Sequence, residues 1–248
     1  MKLNLTVSPD FSPDHISGWF IFNTWLQRQL DRPVHLELYD SFEAQRKDIQ
    51  DGKYDLVYAN PFDASMLVRE LGFKAIVRPI SKSDETVIAT HVDTQYNCVE
   101  DLQPNSRLVA TSDPDVTRIG MIMLEPADLD GSNTALSTVD TYVIVAKRLI
   151  NNEADAGFFL KDAYDDLSEL IRKQMKVLVA SEISDVHHAL LVSPELEALI
   201  PQFQDFLVSM QNDPKGQGVL QSMDLEGWEI MTEEQTEFMI DLIDTLID

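Results

Sequence analysis

The sequence predicts an α/β protein in which two successive units each contain a mostly parallel sheet flanked by helices. Between residues 3 and 80, short extended runs typical of strands take turns with segments of helical periodicity. A second series of the same kind runs from about residue 84 to 185, and a largely helical tail follows it. Because parallel strands need a crossover connection, which a helix commonly supplies, this alternation favours parallel sheets.

The first unit is predicted from local patterns along the chain. Leu3, Leu5 and Val7 alternate with polar residues, as in a strand with one buried face. Large apolar residues then recur at helical spacing between residues 19 and 30, which predicts a helix. The elements expected after this helix are a strand within 32–40, a helix within 41–52, a strand within 54–61, a helix within 62–72 and a strand within 73–80.

The second unit and the tail follow from the same kinds of signal. Extended runs predict strands within 84–92, 107–114, 154–160, 175–181 and 187–193, and helices are expected to begin near 117 and to end at 151–152. The tail is expected to be helical, since residues 193–195 and 213–214 are typical helix starts. Residues 232–235 form a capping box before a further helix.

Charge and cysteine content exclude several classes of partner and site. The 248 residues include 43 acidic and 19 basic ones, a formal net charge of −24. Such a surface repels the phosphates of nucleic acids and anionic lipid headgroups, so neither is expected as a partner. Cys98 is the only cysteine in the sequence, which excludes an intrachain disulfide and a cysteine-based zinc cluster. We expect no cofactor and no metal.

The amino-terminal segment indicates in which cellular compartment the protein is expected. It lacks the apolar stretch of about 7–15 residues that a secretory signal needs. No run in the sequence approaches the roughly 20 apolar residues of a membrane-spanning helix. Taken as written, the sequence predicts a cytoplasmic protein without membrane insertion. The alternative is a periplasmic protein whose leader has been removed.

The strand within 54–61 ends on an unusual sequence, "YANP". In open α/β sheets, ligands bind beyond the carboxyl ends of strands, which makes Tyr58 and Asn60 candidate ligand contacts. The alternative is a strand-to-helix turn, with Asn60 as the helix cap and Pro61 at the first helical position. Ser8 ends the first strand in the same way and is a third candidate, unless it belongs to an ordinary loop.

Four stretches, in order along the chain, together resemble one family. They are "DGKYDLVYANPFDAS", "VEDLQPNSRLVATSDPDVTRIG", "AKRLINNEADAGFF", and "VSPEL" with the later "NDPKGQGVLQSMDLEGWEIMTEE". They are similar to segments of the periplasmic phosphate-, phosphite- and phosphonate-binding proteins of ABC importers. The resemblance covers nearly the whole chain.

The resemblance implies a two-lobed type II binding-protein fold, in which two α/β lobes joined by two crossing strands close on a ligand in a cleft. The implied domains are residues 1–83 with 186–248 as the first lobe, and residues 84–185 as the second. The implied function is non-catalytic binding of a small anionic solute, phosphonate- or phosphate-like or another oxyanion or carboxylate. The implied partners are this ligand and an ABC permease or a signalling protein, with the chain itself monomeric.

The chemistry of an anion site can be argued from the segment "RLVATSDPDVTRIG". A strand leads through Asp113 and Pro114 into a helix, whose first N–H groups lack intrahelical partners and carry the positive end of the helix dipole. An anion can bind there without a lysine. Where the family has hydroxyl residues, this chain keeps Thr117, has lost one at Val116, and adds Arg118, which could clamp an anion or instead pair with an acid in solvent.

Three further candidates come from positions that match the family. Asp155 stands where an acid accepts hydrogen bonds from a ligand, although it could also cap its own turn. Tyr142 replaces a frequent histidine and could donate a hydrogen bond or pack on its helix. Phe42 stands where the family tends to have a tyrosine, and its alternative role is in the core. These substitutions predict either a ligand unlike methylphosphonate or a loss of binding.

Catalytic motifs are not found in the sequence. It contains no nucleophile-elbow, P-loop, dinucleotide-binding or zinc-protease pattern. His187 and His188 are adjacent in an expected strand, so their side chains point to opposite faces and cannot easily share a metal. A binding protein is therefore favoured over an enzyme. The alternatives are a biosynthetic enzyme on the same fold, of the menaquinone or thiamine-pyrimidine type, and a cytoplasmic ligand sensor.

Overall fold

The computed structural model describes residues 2–11 and 13–245. Within them the chain divides into two compact units. Unit 1 holds the described residues up to Ser83 together with Asp185–Thr245, and unit 2 holds Asp84–Ser184. Each unit has its own sheet, with helices covering it and buried apolar residues between them.

The secondary structure alternates as the sequence predicts. The strands, in chain order, are β1 (Leu3–Val7), β2 (Val34–Leu38), β3 (Leu56–Ala59), β4 (Lys74–Pro79), β5 (Thr86–His91), β6 (Arg107–Ala110), β7 (Ala135–Thr138), β8 (Ala156–Leu160), β9 (Met175–Ala180), β10 (Ala189–Val192) and β11 (Trp228–Ile230). The α-helices are α1 (Ile16–Leu30), α2 (Phe42–Gln50), α3 (Pro61–Leu71), α4 (Pro114–Ile122), α5 (Tyr142–Ile150), α6 (Lys161–Asp165), α7 (Glu169–Arg172), α8 (Ile200–Ser209), α9 (Pro214–Ser222) and α10 (Glu233–Thr245).

The sheet of unit 1 has the order β11-β4-β10-β3-β1-β2. Strand β1 runs parallel to β2 and β3, whereas β10 lies between β3 and β4 and is antiparallel to both. All four residues of β10 are buried, which is expected of a central strand with both faces covered. The carboxyl ends of β1, β2 and β3 therefore share one edge of the sheet with the amino end of β10.

The sheet of unit 2 has the order β7-β6-β8-β5-β9. Strand β6 is parallel to β7 and β8, and β5 is antiparallel to both β8 and β9. The carboxyl ends of β6, β7 and β8 therefore lie at one edge, and their amino ends lie at the other. The predicted α/β class is confirmed. Each sheet is mixed, because β10 in unit 1 and β5 in unit 2 run antiparallel to their neighbours.

Local signals account for α3 in full. The side chain of Asn60 accepts a hydrogen bond from the N–H of Asp63 at 2.7 Å, and Pro61 occupies the first helical position. The helix ends at Gly72, whose φ of 72° is one that glycine adopts without strain. The turn interpretation of Asn60 and Pro61 thus describes what these two residues do in the fold.

The tail is helical as expected except at one place. Residues 228–230 form β11, which pairs with β4 at the end of the unit 1 sheet. Three residues are too few for alternation to be recognised in a sequence. Among the described residues, no helix is both long and apolar enough to span a membrane.

Candidate functional site

The carboxyl edge of the unit 1 sheet gathers polar side chains from three distant parts of the chain. We call Ser8, Asp10, Tyr58, Asn60 and His188 the unit 1 edge cluster. The N–H of Ser8 donates to the carbonyl oxygen of Tyr58 at 2.8 Å, and Asn60 Nδ2 donates to Ser8 Oγ at 3.4 Å. The ring of Tyr58 stacks on His188 with centroids 5.2 Å apart. The structure therefore brings together the three candidates that the sequence placed at these strand ends.

Asp10 and His188 form the buried ion pair of this cluster. Nε2 of His188 lies 3.1 and 3.0 Å from the two carboxylate oxygens of Asp10, and the two side chains are only 10% and 3% exposed. Burial alone would raise the pKa of Asp10, but the charge of His188 and hydrogen bonds from His188 and Ser8 hold it below its usual value. Sequence analysis missed this pair, because the partners are far apart in the chain.

His187, which precedes His188 in the chain, is also buried but has a lowered pKa. Burial, together with the nearby charge of Arg78, lowers its pKa to about 4. It is therefore neutral near pH 7 and does not share the ionic role of His188. No group of three or more His, Cys, Asp or Glu residues able to hold a metal ion occurs within 2–11 and 13–245.

Phe42 lies just beyond the carboxyl end of β2, as the first residue of α2. The guanidinium of Arg46 lies over the rings of Phe42 and Phe62, 5.3 and 5.0 Å from their centroids. Arg46 also pairs with Asp63 through two hydrogen bonds. Burial raises the pKa of Asp63 although Arg46 acts in the opposite direction. Phe42 is buried and serves as one side of this cation–aromatic stack.

The carboxyl edge of the unit 2 sheet holds the start of α4. We call Asp113, Thr117, Arg118 and Tyr142 the unit 2 edge cluster. Asp113 Oδ1 accepts hydrogen bonds from the N–H groups of Asp115 and Val116 at 3.1 and 3.3 Å. The expectation that the first amides of this helix are unpaired is therefore wrong, because the chain's own carboxylate caps them.

Tyr142, the first residue of α5, lies in contact with that cap. Its hydroxyl donates to Asp113 Oδ2 at 2.8 Å, and its ring stacks on Phe159 at 6.1 Å. Both roles foreseen for Tyr142, donor and packing residue, are thus present in the structure. Thr117 and Arg118 follow on α4 and are half-buried, and the N–H of Thr117 donates to the carbonyl oxygen of Asp113 at 3.2 Å.

Asp155 lies away from this cluster. It directly precedes β8, at the amino end of that strand, and so belongs to the opposite edge of the sheet. Its carboxylate accepts hydrogen bonds from the backbone N–H of Arg107 and from its guanidinium, at 2.8 to 3.1 Å. These contacts with Arg107 lower the pKa of Asp155 below its usual value. We therefore remove Asp155 from the candidate site and treat it as the acid that joins the starts of β6 and β8.

Comparison with known proteins identifies the family of the chain. The family described as "ABC transporter, phosphonate, periplasmic substrate-binding protein" matches residues 5–236. No curated protein matches the chain significantly. The family is described as periplasmic, so the expectation of a cytoplasmic protein is not supported, whereas the periplasmic alternative fits.

Solved structures extend the comparison to the fold. PhnD1 from Prochlorococcus marinus in complex with methylphosphonate is 13% identical, with a TM-score of 0.84 over 99% of this chain and 98% of that one. A binding protein component of an ABC phosphonate transporter from Pseudomonas aeruginosa is 15% identical, with a TM-score of 0.80 over 98% and 86%. The aliphatic sulphonate-binding protein SsuA from Escherichia coli is 12% identical, with a TM-score of 0.68 over 98% and 87%.

At these identities the likeness concerns the fold, and it confirms the predicted type II periplasmic-binding-protein fold. The family match spans nearly the whole chain and agrees with the resemblance of the four sequence segments. The chain belongs to the phosphonate-type periplasmic substrate-binding proteins of ABC transporters.

Proposed function

We propose that this protein is a non-catalytic substrate-binding protein that captures a small anionic solute of the phosphonate or sulfonate class. The observation that carries the proposal is the family match over residues 5–236. The proposed contacts in unit 2 are Thr117, Arg118 and Tyr142, at the start of α4 and α5. Those in unit 1 are Ser8, Tyr58 and Asn60, with Phe42 as an apolar wall.

The proposal gives Arg118 the main electrostatic role. Its guanidinium supplies a permanent positive charge and paired donors that match an anionic oxygen cluster. Thr117 and Tyr142 add hydroxyl groups, of which that of Tyr142 already donates to Asp113. The chain carries a net charge of −24, which on its own would repel an anion. The positive charge of Arg118 is therefore what favours a negatively charged ligand at this position.

The absence of catalysis is part of the proposal. A catalytic acid or base must be within hydrogen-bond reach of the reacting group. The buried carboxylates at both strand edges are instead held by other groups of the chain. Asp10 bonds with His188, Asp63 with Arg46, and Asp113 with Tyr142 and two backbone amides. The ligand should therefore be recovered unchanged after prolonged incubation.

The proposed partner is an ABC permease, and the proposed location is the periplasm. Both are supported by the family's description as periplasmic substrate-binding proteins of ABC transporters. A purely cytoplasmic sensor receives no support from the fold or the family.

Anion binding is expected to raise the thermal stability of the protein. At a ligand concentration a hundredfold above the dissociation constant, the free energy of unfolding should rise by about 2.7 kcal/mol. Thermal unfolding is measured with inorganic phosphate, phosphite, methylphosphonate, methanesulfonate and acetate, each in excess. At least one of these anions should produce the shift.

The matched control for this measurement is a second arginine of unit 2. Arg118→Gln should abolish most of the ligand-induced shift, whereas Arg107→Gln, at the opposite edge of the same sheet beside Asp155, should retain it. If no anion stabilises the wild-type protein, the proposed function is wrong. If both variants respond like the wild type, Arg118 is not part of the site.

A further inference from the structure

The start of α4 differs electrostatically from an ordinary helix N-terminus. Such a terminus offers unpaired N–H groups and a partial positive charge, both of which favour anions. In α4, Pro114 has no N–H, and those of Asp115 and Val116 donate to Asp113 Oδ1. The next N–H, that of Thr117, donates to the carbonyl oxygen of Asp113. The amides of the first turn are thus already engaged.

The carboxylate of Asp113, which accepts hydrogen bonds from these amides, is buried and held by a further donor. Asp113 is 2% exposed, and its second oxygen accepts the hydroxyl hydrogen of Tyr142 at 2.8 Å. Three donors from two helices therefore hold one negative charge at the positive end of α4. Asp115, the next acid along the chain, is buried as well. Arg118 is the basic residue that α4 contributes to the unit 2 edge cluster.

We propose that Asp113 is a specificity-determining residue that makes the site select singly charged anions over doubly charged ones. This rests on the proposed function, since it concerns the same site. The charge of Asp113 offsets the helix dipole and repels a second negative charge on the ligand. A monoanion such as a sulfonate needs only the guanidinium of Arg118 for compensation, whereas a dianion leaves one charge unbalanced beside Asp113.

The test compares two ligands of similar shape and different charge. Methanesulfonate carries one negative charge, and methylphosphonate carries two at about pH 9, well above the second ionisation of a phosphoryl group. Isothermal titration calorimetry of the wild-type protein at that pH should give a dissociation constant for methylphosphonate at least about tenfold larger than that for methanesulfonate, a difference of about 1.4 kcal/mol.

The variant Asp113→Asn tests the contribution of the negative charge of Asp113 separately from its role as a helix cap. Asparagine is as good a helix cap as aspartate and keeps the oxygen that accepts from the backbone. The ratio of the two dissociation constants should fall by about tenfold, chiefly because methylphosphonate binds more tightly.

The chain contains a matched control for this substitution. Asp213 also precedes a proline and caps a nine-residue helix, α9, by accepting from the N–H groups of Lys215 and Gly216 at 3.1 and 2.9 Å. Because α9 belongs to unit 1 and is remote from the unit 2 edge cluster along the chain, Asp213→Asn should leave the ratio unchanged. A change of the same size in Asp213→Asn would show that the effect is general and overturn the proposal.

The outcomes separate this inference from the proposed function. If the wild-type protein binds methylphosphonate at about pH 9 as tightly as methanesulfonate, the inference is overturned whether or not Asp113→Asn folds. If the wild-type protein prefers the monoanion but Asp113→Asn keeps the full preference, Asp113 is not its cause, and anion binding itself stands. If the wild-type protein binds no anion, the proposed function fails and this inference with it.

Discussion

Replacing Gly18 with alanine is expected to lower the free energy of unfolding by about 2–3 kcal/mol. Gly18 lies in α1, where a β-carbon would overlap the carbonyl oxygen of Ser222 and approach the nitrogen of Met223 to 2.9 Å. Both atoms belong to the backbone at the end of α9, so no side-chain rotation relieves the overlap. The two helices must separate, and the apolar contacts between them are lost.

Gly218 supplies the control for this substitution. It lies within α9 and is exposed, and a β-carbon there meets nothing within 4 Å. Since alanine is favoured over glycine inside helices by about 1 kcal/mol, Gly218→Ala should stabilise the protein slightly. Chemical denaturation of both variants measures the two effects. If Gly18→Ala is as stable as the wild type, the close packing of α1 on α9 is incorrect.

Loss of the charge on His188 is expected to have a still larger effect on stability. His188→Gln leaves the carboxylate of Asp10, only 3% exposed, without its cation, and removal of one partner from such a pair costs about 3–5 kcal/mol. The lowered pKa of Asp10 shows that the folded protein favours its ionised form. The unfolding midpoint in urea gives the loss directly.

Two further variants test this explanation. The double variant Asp10→Asn with His188→Gln should recover much of the loss, because two neutral amides can bond with each other without a buried charge. His35→Gln removes a histidine paired with Glu37 on the surface, where both side chains are about half exposed, and should cost less than about 1 kcal/mol. Equal losses in His188→Gln and His35→Gln would mean that the buried pair does not stabilise the fold.

The elements predicted most accurately are those that local chemistry determines. The helix α3 has its cap, Asn60, and its first-turn proline, Pro61, next to each other in the sequence, and both act as predicted. The apolar run of β10 was recognised as a strand, but its insertion between β3 and β4 was not. Strand order depends on pairings across more than a hundred residues, which a local pattern does not contain.

The residues of the candidate site also divide into those that local sequence patterns identify and those that only long-range contacts bring together. Ser8, Tyr58 and Asn60 were identified because each ends a strand, and parallel strands bring such ends to one edge. His188 was missed because its partner Asp10 is far away in the sequence. Asp155 became a candidate only through the family resemblance, although its position just before β8 places it at the amino end of that strand.

The expectation of unpaired amides at the start of α4 was wrong for a reason that the sequence itself contains. The Asp113-Pro114 pair predicts a helix cap, and that cap is present. A side chain that caps a helix consumes the amides that an anion would need, so the same two residues argue against the unpaired amides expected there. The contact with Tyr142, which fixes the carboxylate, is long-range and only the structure shows it.

The central claim is that a small anion binds beside Thr117 and Arg118 at the carboxyl edge of the unit 2 sheet. Titration of nitrogen-15-labelled protein with methanesulfonate, followed by amide NMR, tests it most directly. The account predicts saturating chemical-shift changes that include the amides of Thr117 and Arg118 and leave those of Arg107 and Asp155 unchanged. Saturating changes confined to Arg107 and Asp155, or no saturating change in any amide, would contradict it.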